Sequence, residues 1–344
     1  MKKTVFFFLT VLLTSGCRVI KDSLYQNTNT YIGAAVTLEK IKDDSSAYRI
    51  LVTDFNSLTA ENAMKMRSIL PERGKYQWAN AEQYIAFAKQ HHMRLHGHTL
   101  IWHESIPEWI KQIHDTAELH TVFRDYITTY VSKTREDVLG WDVVNEAIAD
   151  SGGGFRRSFW YNTLGEPYIA ESFFLANQAN PHALLFYNEY GLEENEEKLA
   201  ATLQMIDRLT RQGVPVHGIG MQMHITIDMD MGKYRKALRE FVKRGLMVHL
   251  SELDIRVNPD REKERFKHFN YVAAKLQKDK YYEVVKTYLE EVPRNQQYGI
   301  TLWGFSDAHS WIIHHLKKND WPCIYDARMR RKPAYNGMWK ALSE

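Results

Sequence analysis

Residues 140–146 read GWDVVNE, an apolar and β-branched run that ends abruptly in an amide and a carboxylate. A short apolar run bounded by polar residues is typical of a buried strand. Comparable runs recur along the chain, and longer amphipathic stretches with helical spacing separate them. The predicted strands are residues 31–36, 54–58, 94–98, 140–144, 183–187, 216–221, 247–250 and 299–303.

Helix-like segments, such as 81–90, 199–212 and 234–244, lie between these runs. Alternation of strand and helix predicts parallel βαβ units. Eight such units in 344 residues fit a closed barrel, which needs about 250 residues, better than an open doubly wound sheet. We therefore predict an α/β protein, a single (β/α)₈ TIM barrel over residues 30–344. No Gly-rich phosphate loop follows the first run, which argues against a nucleotide-binding sheet.

The N-terminus has the pattern of a secretory signal peptide, predicted over residues 1–16. Two lysines precede an apolar run at 5–13, which is shorter than the roughly 20 residues of a membrane span. Cys17 directly follows Ser-Gly, as at a bacterial lipoprotein processing site, although Thr14 stands where that pattern prefers Leu. We expect lipidation at Cys17; the alternative is ordinary signal cleavage. Residues 17–29 are polar and are predicted to be a tether.

Charge and cysteine content restrict the partners. The formal net charge is +3, and removal of Lys2 and Lys3 leaves +3 − 2 = +1, too little for a nucleic-acid surface. Cys323 is the second of two cysteines, so lipidation of Cys17 would leave no intrachain disulfide. We expect an exported monomer, anchored in the periplasm or at the cell surface by the lipid or otherwise secreted, that contacts a membrane only through this lipid.

Polar and aromatic residues cluster where the predicted strands end. Because a parallel barrel gathers the C-terminal ends of its strands around one mouth, we expect these residues to meet in one cleft. They are Glu61 and Asn62, His98 and Trp102, Asn145 and Glu146, Gln222 and His224, Glu252 and Asp254, and Trp303.

Two of these carboxylates match the needs of glycosidic bond hydrolysis, in which one acid protonates the leaving oxygen and another carboxylate faces the developing cation. Burial beside aromatic rings would favour the protonated form of Glu146, as a general acid requires. Glu252 would stay ionised if His224 donated a hydrogen bond to it and Asp254 held that imidazole. Alternatively, Glu146 caps a helix and Glu252 forms a structural salt bridge. The 9 Trp and 19 Tyr residues suit sugar stacking, and equally a bulky core.

The same residues lie in motifs that resemble glycoside hydrolase family 10, the retaining endo-1,4-β-xylanases. The motifs are in register across the predicted barrel: 61–65 (ENAMK), 97–109 (GHTLIWHESIPEW), 141–147 (WDVVNEA), 185–190 (LFYNEY), 218–224 (GIGMQMH), 251–255 (SELDI) and 303–311 (WGFSDAHSW).

The resemblance implies that Glu146 is the acid/base, that Glu252 is the nucleophile, and that His224 and Asp254 support it. It also implies that xylan and xylo-oligosaccharides are the substrates. Implied sugar-binding residues are Glu61, Asn62, Lys65, His98, Trp102, Asn145, Tyr190, Gln222, Trp303 and Trp311. The chain departs from the family pattern at Ser105, Met221, Met223 and Gly191, which puts subsite affinity in question rather than the reaction.

Three other interpretations remain. His96 and His98 could begin the metal site of a barrel hydrolase, although no further His or Asp set completes it; we expect no metal and no cofactor. A non-catalytic glycan-binding lipoprotein would use the same aromatic residues but has no need of two carboxylates. A barrel glycosidase acting on glucan or mannan would share the two-carboxylate chemistry.

Overall fold

The computed structural model describes residues 23–259 and 264–344. Within that part of the chain, the strands are β1 (Ile32–Val36), β2 (Ser57–Ala60), β3 (Arg94–Trp102), β4 (Val138–Asn145), β5 (Leu184–Glu189), β6 (Gly218–Met221), β7 (His224–Thr226), β8 (Met247–Arg256) and β9 (Gln297–Trp303).

The strands close into an eight-stranded parallel barrel. From β1 to β6, each strand pairs with the next one along the chain. Strand β6 then pairs with β8, β8 with β9, and β9 with β1, which closes the barrel. Residues Gln222 and Met223 follow β6 and are not part of a strand. The short strand β7 comes next and pairs with β8 beyond the end of β6. The prediction of a single (β/α)₈ barrel is confirmed.

Helices lie between the barrel strands and cover the outside of the barrel. They are α1 (Leu38–Asp43), α2 (Ser45–Asp54), α3 (Met66–Ile69), α4 (Trp78–Gln90), α5 (Glu108–Lys111), α6 (Thr116–Lys133), α7 (Phe159–Leu164), α8 (Pro167–Ala179), α9 (Glu196–Arg211), α10 (Met231–Lys243), α11 (Tyr271–Glu291), α12 (Trp311–His314) and α13 (Pro333–Ser343). No helix in the described residues is long and apolar enough to cross a bilayer.

One predicted strand was placed too early. Residues 54–58 were expected to be extended, but Asp54 is the last residue of α2 and β2 begins at Ser57. Asp54 is buried and accepts hydrogen bonds from the hydroxyls of Tyr325 and Tyr335, two residues near the other end of the chain. A long-range contact of this kind leaves no periodic signal in the local sequence.

Helices α9 and α10 begin three residues before their predicted starts at 199 and 234. The side chain of Asn195 accepts from the backbone N–H of Lys198, and that of Asp230 accepts from two N–H groups. These side chains cap the first helical turns, so the helices start before their apolar periodicity becomes visible.

The predicted signal segment and Cys17 lie outside the described residues, as does the tether up to residue 22. The rest of the tether contains a short 3₁₀ turn, Tyr25–Asn27. The thiol of Cys323 is buried and unpaired in the described part of the chain.

Gly97 on β3 gives a test of barrel packing. A Cβ at this position would lie 2.2 Å from the indole of Trp141, which is fully buried. Overpacking of this kind costs about 1–3 kcal/mol. We expect Gly97→Ala to lower the urea midpoint of unfolding, whereas Gly154→Ala, where the nearest atom is 3.9 Å away, should leave it unchanged. Equal midpoints for both variants would contradict this packing.

Candidate active site

The carboxylate of Glu146 enters the barrel mouth from an unusual backbone conformation. Glu146 directly follows β4 and has φ of 59°, in the left-handed region that non-glycine residues rarely adopt. Its N–H donates to the carbonyl of Asn188 at 2.9 Å, and its carbonyl accepts from Arg156 Nε at 3.0 Å. These bonds hold the turn that directs the side chain away from the strand.

Three side chains donate hydrogen bonds to the Glu146 carboxylate, which is 9% exposed. Trp102 Nε1 donates to Oε2 at 2.8 Å. Asn145 Nδ2 and Gln222 Nε2 donate to Oε1 at 3.0 and 2.9 Å. The predicted acid is therefore held by residues from the ends of β3, β4 and β6.

The predicted strand 247–250 ended too early: β8 continues to Arg256, so Glu252 lies inside the strand rather than after it, and it is more deeply buried than Glu146. His224 Nε2 is 3.2 Å from one carboxylate oxygen, and Asn188 Nδ2 donates to the other at 2.7 Å. Asn188 Nδ2 also donates to Asn145 Oδ1 at 2.8 Å, and the Glu252 N–H donates to the Gln222 carbonyl at 3.0 Å. One hydrogen-bond network thus joins the two carboxylates.

The surroundings of Glu252 favour its ionised form. Burial opposes ionisation, but the hydrogen bond from His224 and the charges of His98, His224 and Lys65 outweigh it, so the pKa of Glu252 lies below its ordinary value.

The imidazole of His224 is held between two carboxylates. Its Nδ1 lies 2.9 Å from Asp254 Oδ2. Burial opposes its protonation, yet Asp254 and Glu252 together raise the pKa of His224 to about 10. As a cation, His224 donates from both ring nitrogens. Trp311 Nε1 also donates to Asp254 Oδ2, at 2.8 Å. Asp254 thereby orients both the imidazole and the indole.

A cationic and aromatic wall adjoins the two carboxylates. Lys65 Nζ lies 4.5 Å from the ring centroid of Trp102, 5.6 Å from that of Trp303 and 3.2 Å from Asn62 Oδ1. Burial lowers the pKa of Lys65, although Glu252, Glu61 and Glu146 act in the opposite direction. Lys65 therefore presents a buried, desolvated ammonium group close to two indole rings.

The paired histidines of β3 face a carboxylate. His98 Nδ1 lies 2.8 Å from Asp142 Oδ2, and His96 Nε2 lies 3.1 Å from Asp142 Oδ1. The other ring nitrogen of His96, Nδ1, lies 2.9 Å from the hydroxyl of Tyr298. The ring of Trp303 lies 5.3 Å from that of His98. Across residues 23–259 and 264–344, no group of three or more His, Cys, Asp or Glu side chains is arranged to hold a metal ion.

Tyr190 lies on a different side of the cleft, where β5 ends. Lys198 Nζ lies 3.3 Å from its ring centroid, and Arg156 Nη2 donates to its hydroxyl at 2.8 Å. The hydroxyl also contacts Asp150. Glu61, by contrast, accepts from Thr37 Oγ1 at 2.7 Å, and its charge acts on Lys65.

The departures from the family pattern have distinct surroundings. Gly191 has φ of 73°, a conformation that Gly and Asn tolerate better than other residues. Met221 and Met223 are fully buried. The carbonyl of Ser105 accepts from the N–H of Arg67 at 3.0 Å, and the residue is buried.

Sequence reasoning missed two residues that connect the site. Asn188, fully buried, bridges Asn145 and Glu252. It is an Asn at a strand end, like Asn145, and this signal was available within the motif at 185–190. Arg156 follows a glycine-rich segment, and nothing local distinguishes it from the neighbouring Arg157.

The sequence and the fold are both similar to those of known proteins. The sequence profile of glycosyl hydrolase family 10 matches residues 20–341. Endo-1,4-beta-xylanase B of Thermotoga neapolitana is 34% identical over 326 residues, covering 93% of this chain and 91% of that protein. Endo-1,4-beta-xylanase A of Cellvibrio japonicus (strain Ueda107) is 34% identical over 339 residues, which are 91% of this chain and 55% of that protein. This chain thus spans about half of that relative's length.

Among solved structures, xylanase 10B from Thermotoga petrophila RKU-1 in complex with xylobiose is similar, with a TM-score of 0.85 and 34% sequence identity. The similarity covers 94% of this chain and 96% of that one. The family profile extends over nearly the whole chain, and the fold agrees with that of the solved relative. This chain belongs to glycosyl hydrolase family 10.

Proposed function

We propose that the protein is a retaining endo-1,4-β-xylanase in which Glu146 is the acid/base and Glu252 is the nucleophile. The observation that carries this proposal is the difference between the hydrogen-bond donors around the two carboxylates, which one hydrogen-bond network connects. Glu252 is paired with His224, whose pKa is raised to about 10, whereas in the described part of the chain the hydrogen-bond donors to the Glu146 carboxylate are the neutral side chains of Trp102, Asn145 and Gln222. Such a difference in environment divides the two chemical roles between the carboxyl groups.

In the first step, Glu252 attacks the anomeric carbon while Glu146 gives its proton to the departing glycosidic oxygen. The carbon–oxygen bond to the leaving sugar breaks as the bond to the Glu252 carboxylate forms. His224 and Asn188 hold Glu252 in place for this attack through its two oxygens. The product of this step is a glycosyl-enzyme and a released sugar chain.

In the second step, Glu146 is ionised and takes a proton from an incoming water molecule. The water oxygen attacks the anomeric carbon from the face that the leaving sugar vacated, and Glu252 departs as a carboxylate. Two inversions restore the original configuration. No cofactor enters either step.

Xylan as the substrate is supported by the family and by the shape of one wall. Xylose lacks the hydroxymethyl group that glucose and mannose carry at C5. The family resemblance implies that the pocket around Lys65 and Trp303 leaves little room for such a group, and Lys65 Nζ lies within 5.6 Å of the ring centroids of both Trp102 and Trp303. The solved relative from Thermotoga petrophila RKU-1 was crystallised with xylobiose.

Sugar release from xylan, cellulose and mannan, measured side by side, tests substrate and roles together. We expect release from xylan alone. Glu252→Ala should abolish it, and Glu146→Ala should reduce it about 10²–10⁴-fold, with a smaller loss on activated aryl glycosides. Glu197→Ala, which changes an exposed carboxylate on α9, is the control and should retain activity.

Each other outcome has a defined meaning. Release from another polymer would overturn the substrate, and an equal loss for Glu146→Ala on activated glycosides would overturn its role. Binding of xylan without release would favour the glycan-binding alternative. An inverted product anomer, observed by NMR during hydrolysis, would exclude the double displacement.

The acidic limb of the pH profile reports the nucleophile. Because the contacts with His224 lower the pKa of Glu252, loss of the imidazole should raise that pKa. We expect the acidic limb of kcat/KM to move to higher pH in His224→Ala, and not in His182→Ala, whose side chain is exposed. An unmoved limb in His224→Ala would show that this imidazole does not control the ionisation of Glu252.

We also propose that the protein acts outside the cytoplasm and is anchored through Cys17. In a bacterial host, the full-length protein should fractionate with membranes, and Cys17→Ser should move xylanase activity to the soluble fraction. Mass spectrometry of the mature N-terminus should detect a lipid on Cys17. A mature chain that starts elsewhere and carries no lipid would favour ordinary signal cleavage.

A further inference from the structure

The segment between β4 and α7 folds back on itself beside the predicted acid. Arg156 N–H donates to the carbonyl of Ala147 at 2.8 Å, and Ala149 N–H donates to that of Gly154 at 2.8 Å. Gly152 and Gly153, both with positive φ, form the tip of this turn. The fold-back returns Arg156 to the base of the segment, next to Glu146.

The guanidinium of Arg156 makes hydrogen bonds in several directions at once. Its Nε donates to the Glu146 carbonyl at 3.0 Å, and its Nη2 donates to the Tyr190 hydroxyl at 2.8 Å. Nη2 and Nη1 also donate to the two oxygens of Asp150, at 3.0 and 3.3 Å. The side chain is 21% exposed. A single rigid group therefore contacts both the residue that delivers the proton and an aromatic ring of the cleft.

The contact with Glu146 acts on a strained position. A non-glycine residue in the left-handed conformation is strained, and it persists only where its surroundings impose it. The Glu146 carbonyl accepts from Arg156, and the next N–H, that of Ala147, donates to the Tyr187 hydroxyl at 3.0 Å. Loss of Arg156 would remove one of the restraints on the direction of the carboxylate.

The Tyr190 side of this contact rests on the buried side chains of Lys198 and Glu189 and on the exposed carboxylate of Asp150. Lys198 is 2% exposed, and its Nζ lies 2.9 Å from Glu189 Oε1 and 3.0 Å from Asp150 Oδ1. The same Nζ lies over one face of the Tyr190 ring. With Lys198 over the ring and the hydroxyl held, the ring has a fixed orientation, and Tyr190 is only partly buried.

We propose that Arg156 is a positioning residue that fixes the acid/base Glu146 and the leaving-sugar ring Tyr190 as one unit. The inference rests on the proposed function, because it assigns Tyr190 to the sugar that departs. It predicts that loss of Arg156 lowers activity most where the leaving group is a sugar, because a sugar needs both a proton from Glu146 and binding to the Tyr190 ring. An activated aryl group needs little of either.

The test compares two substrates with the full protein and three variants. The substrates are xylohexaose, with a sugar leaving group, and a xylobioside with an activated aryl leaving group. For Arg156→Ala we expect kcat and kcat/KM on xylohexaose to fall by about 10- to 100-fold, the effect of a small misplacement of a catalytic group. The kcat/KM on the aryl xylobioside, which covers substrate binding and formation of the glycosyl-enzyme but not its hydrolysis, should fall by no more than about 3-fold.

Two further variants separate positioning from general damage. Arg157→Ala removes the exposed neighbouring arginine, which contacts the Tyr161 ring instead, and should match the wild type on both substrates. Arg156→Lys keeps the charge but lacks the planar guanidinium group. Like Arg156→Ala, it should therefore lose more activity on xylohexaose than on the aryl xylobioside. It also tests the proposal if the alanine variant does not fold, as judged by thermal unfolding.

Equal losses on both substrates would overturn the proposal, because they indicate a purely structural role. A rise in KM for xylohexaose with unchanged kcat would also overturn it, since Arg156 would then act on binding alone. Wild-type activity of Arg156→Lys on xylohexaose would overturn the requirement for the planar guanidinium group. If the wild type cleaves neither substrate, the proposed function fails instead, and this comparison distinguishes the two failures.

Discussion

Burying an ionised carboxylate is unfavourable unless donors and opposite charge surround it, and the barrel mouth is arranged around this constraint at Glu252. His224 lies between Glu252 and Asp254, so one imidazolium offsets part of the negative charge of two buried carboxylates. The arrangement requires β7 to pair with β8 beyond the end of β6, with His224 opposite Asp254. The break in the sixth barrel strand also leaves Gln222 at the mouth, where its side chain reaches Glu146.

A buried polar layer in the barrel supports this site from below. Burial opposes ionisation of Asp142, but His96 and His98 hold its pKa well below the ordinary value. Burial and the neighbouring His96 keep the pKa of His249 well below its ordinary value, so His249 is a neutral partner of Thr301 at 2.8 Å. The charge of His98 in turn acts on Glu252. The interior of the barrel thus contributes to the electrostatics of the nucleophile as well as to packing.

The two sides of the cleft are stabilised differently. One side has Lys65 among indole rings, where the attraction between cation and aromatic face compensates for lost hydration. On the other side, Lys198 and Arg156 lie around Tyr190. Lys198 contacts two carboxylates, one from the loop after β4 and one from β5. Rigid side chains on both sides mean that a sugar chain entering the cleft has little to reorganise, which favours catalysis by positioning.

The sequence alone determined the barrel and singled out both candidate carboxylates, because strand-like and helix-like runs alternate and acidic residues directly after apolar runs stand out. It also indicated the pairing of His224 with Glu252 and Asp254. It did not determine that Asp54 ends a helix, since hydroxyls from residues 325 and 335 hold it there. Nor could it distinguish Arg156 from Arg157, or assign the bridging contacts of Asn188. Those contacts join residues far apart in the chain, and only closure of the barrel brings them within hydrogen-bonding distance.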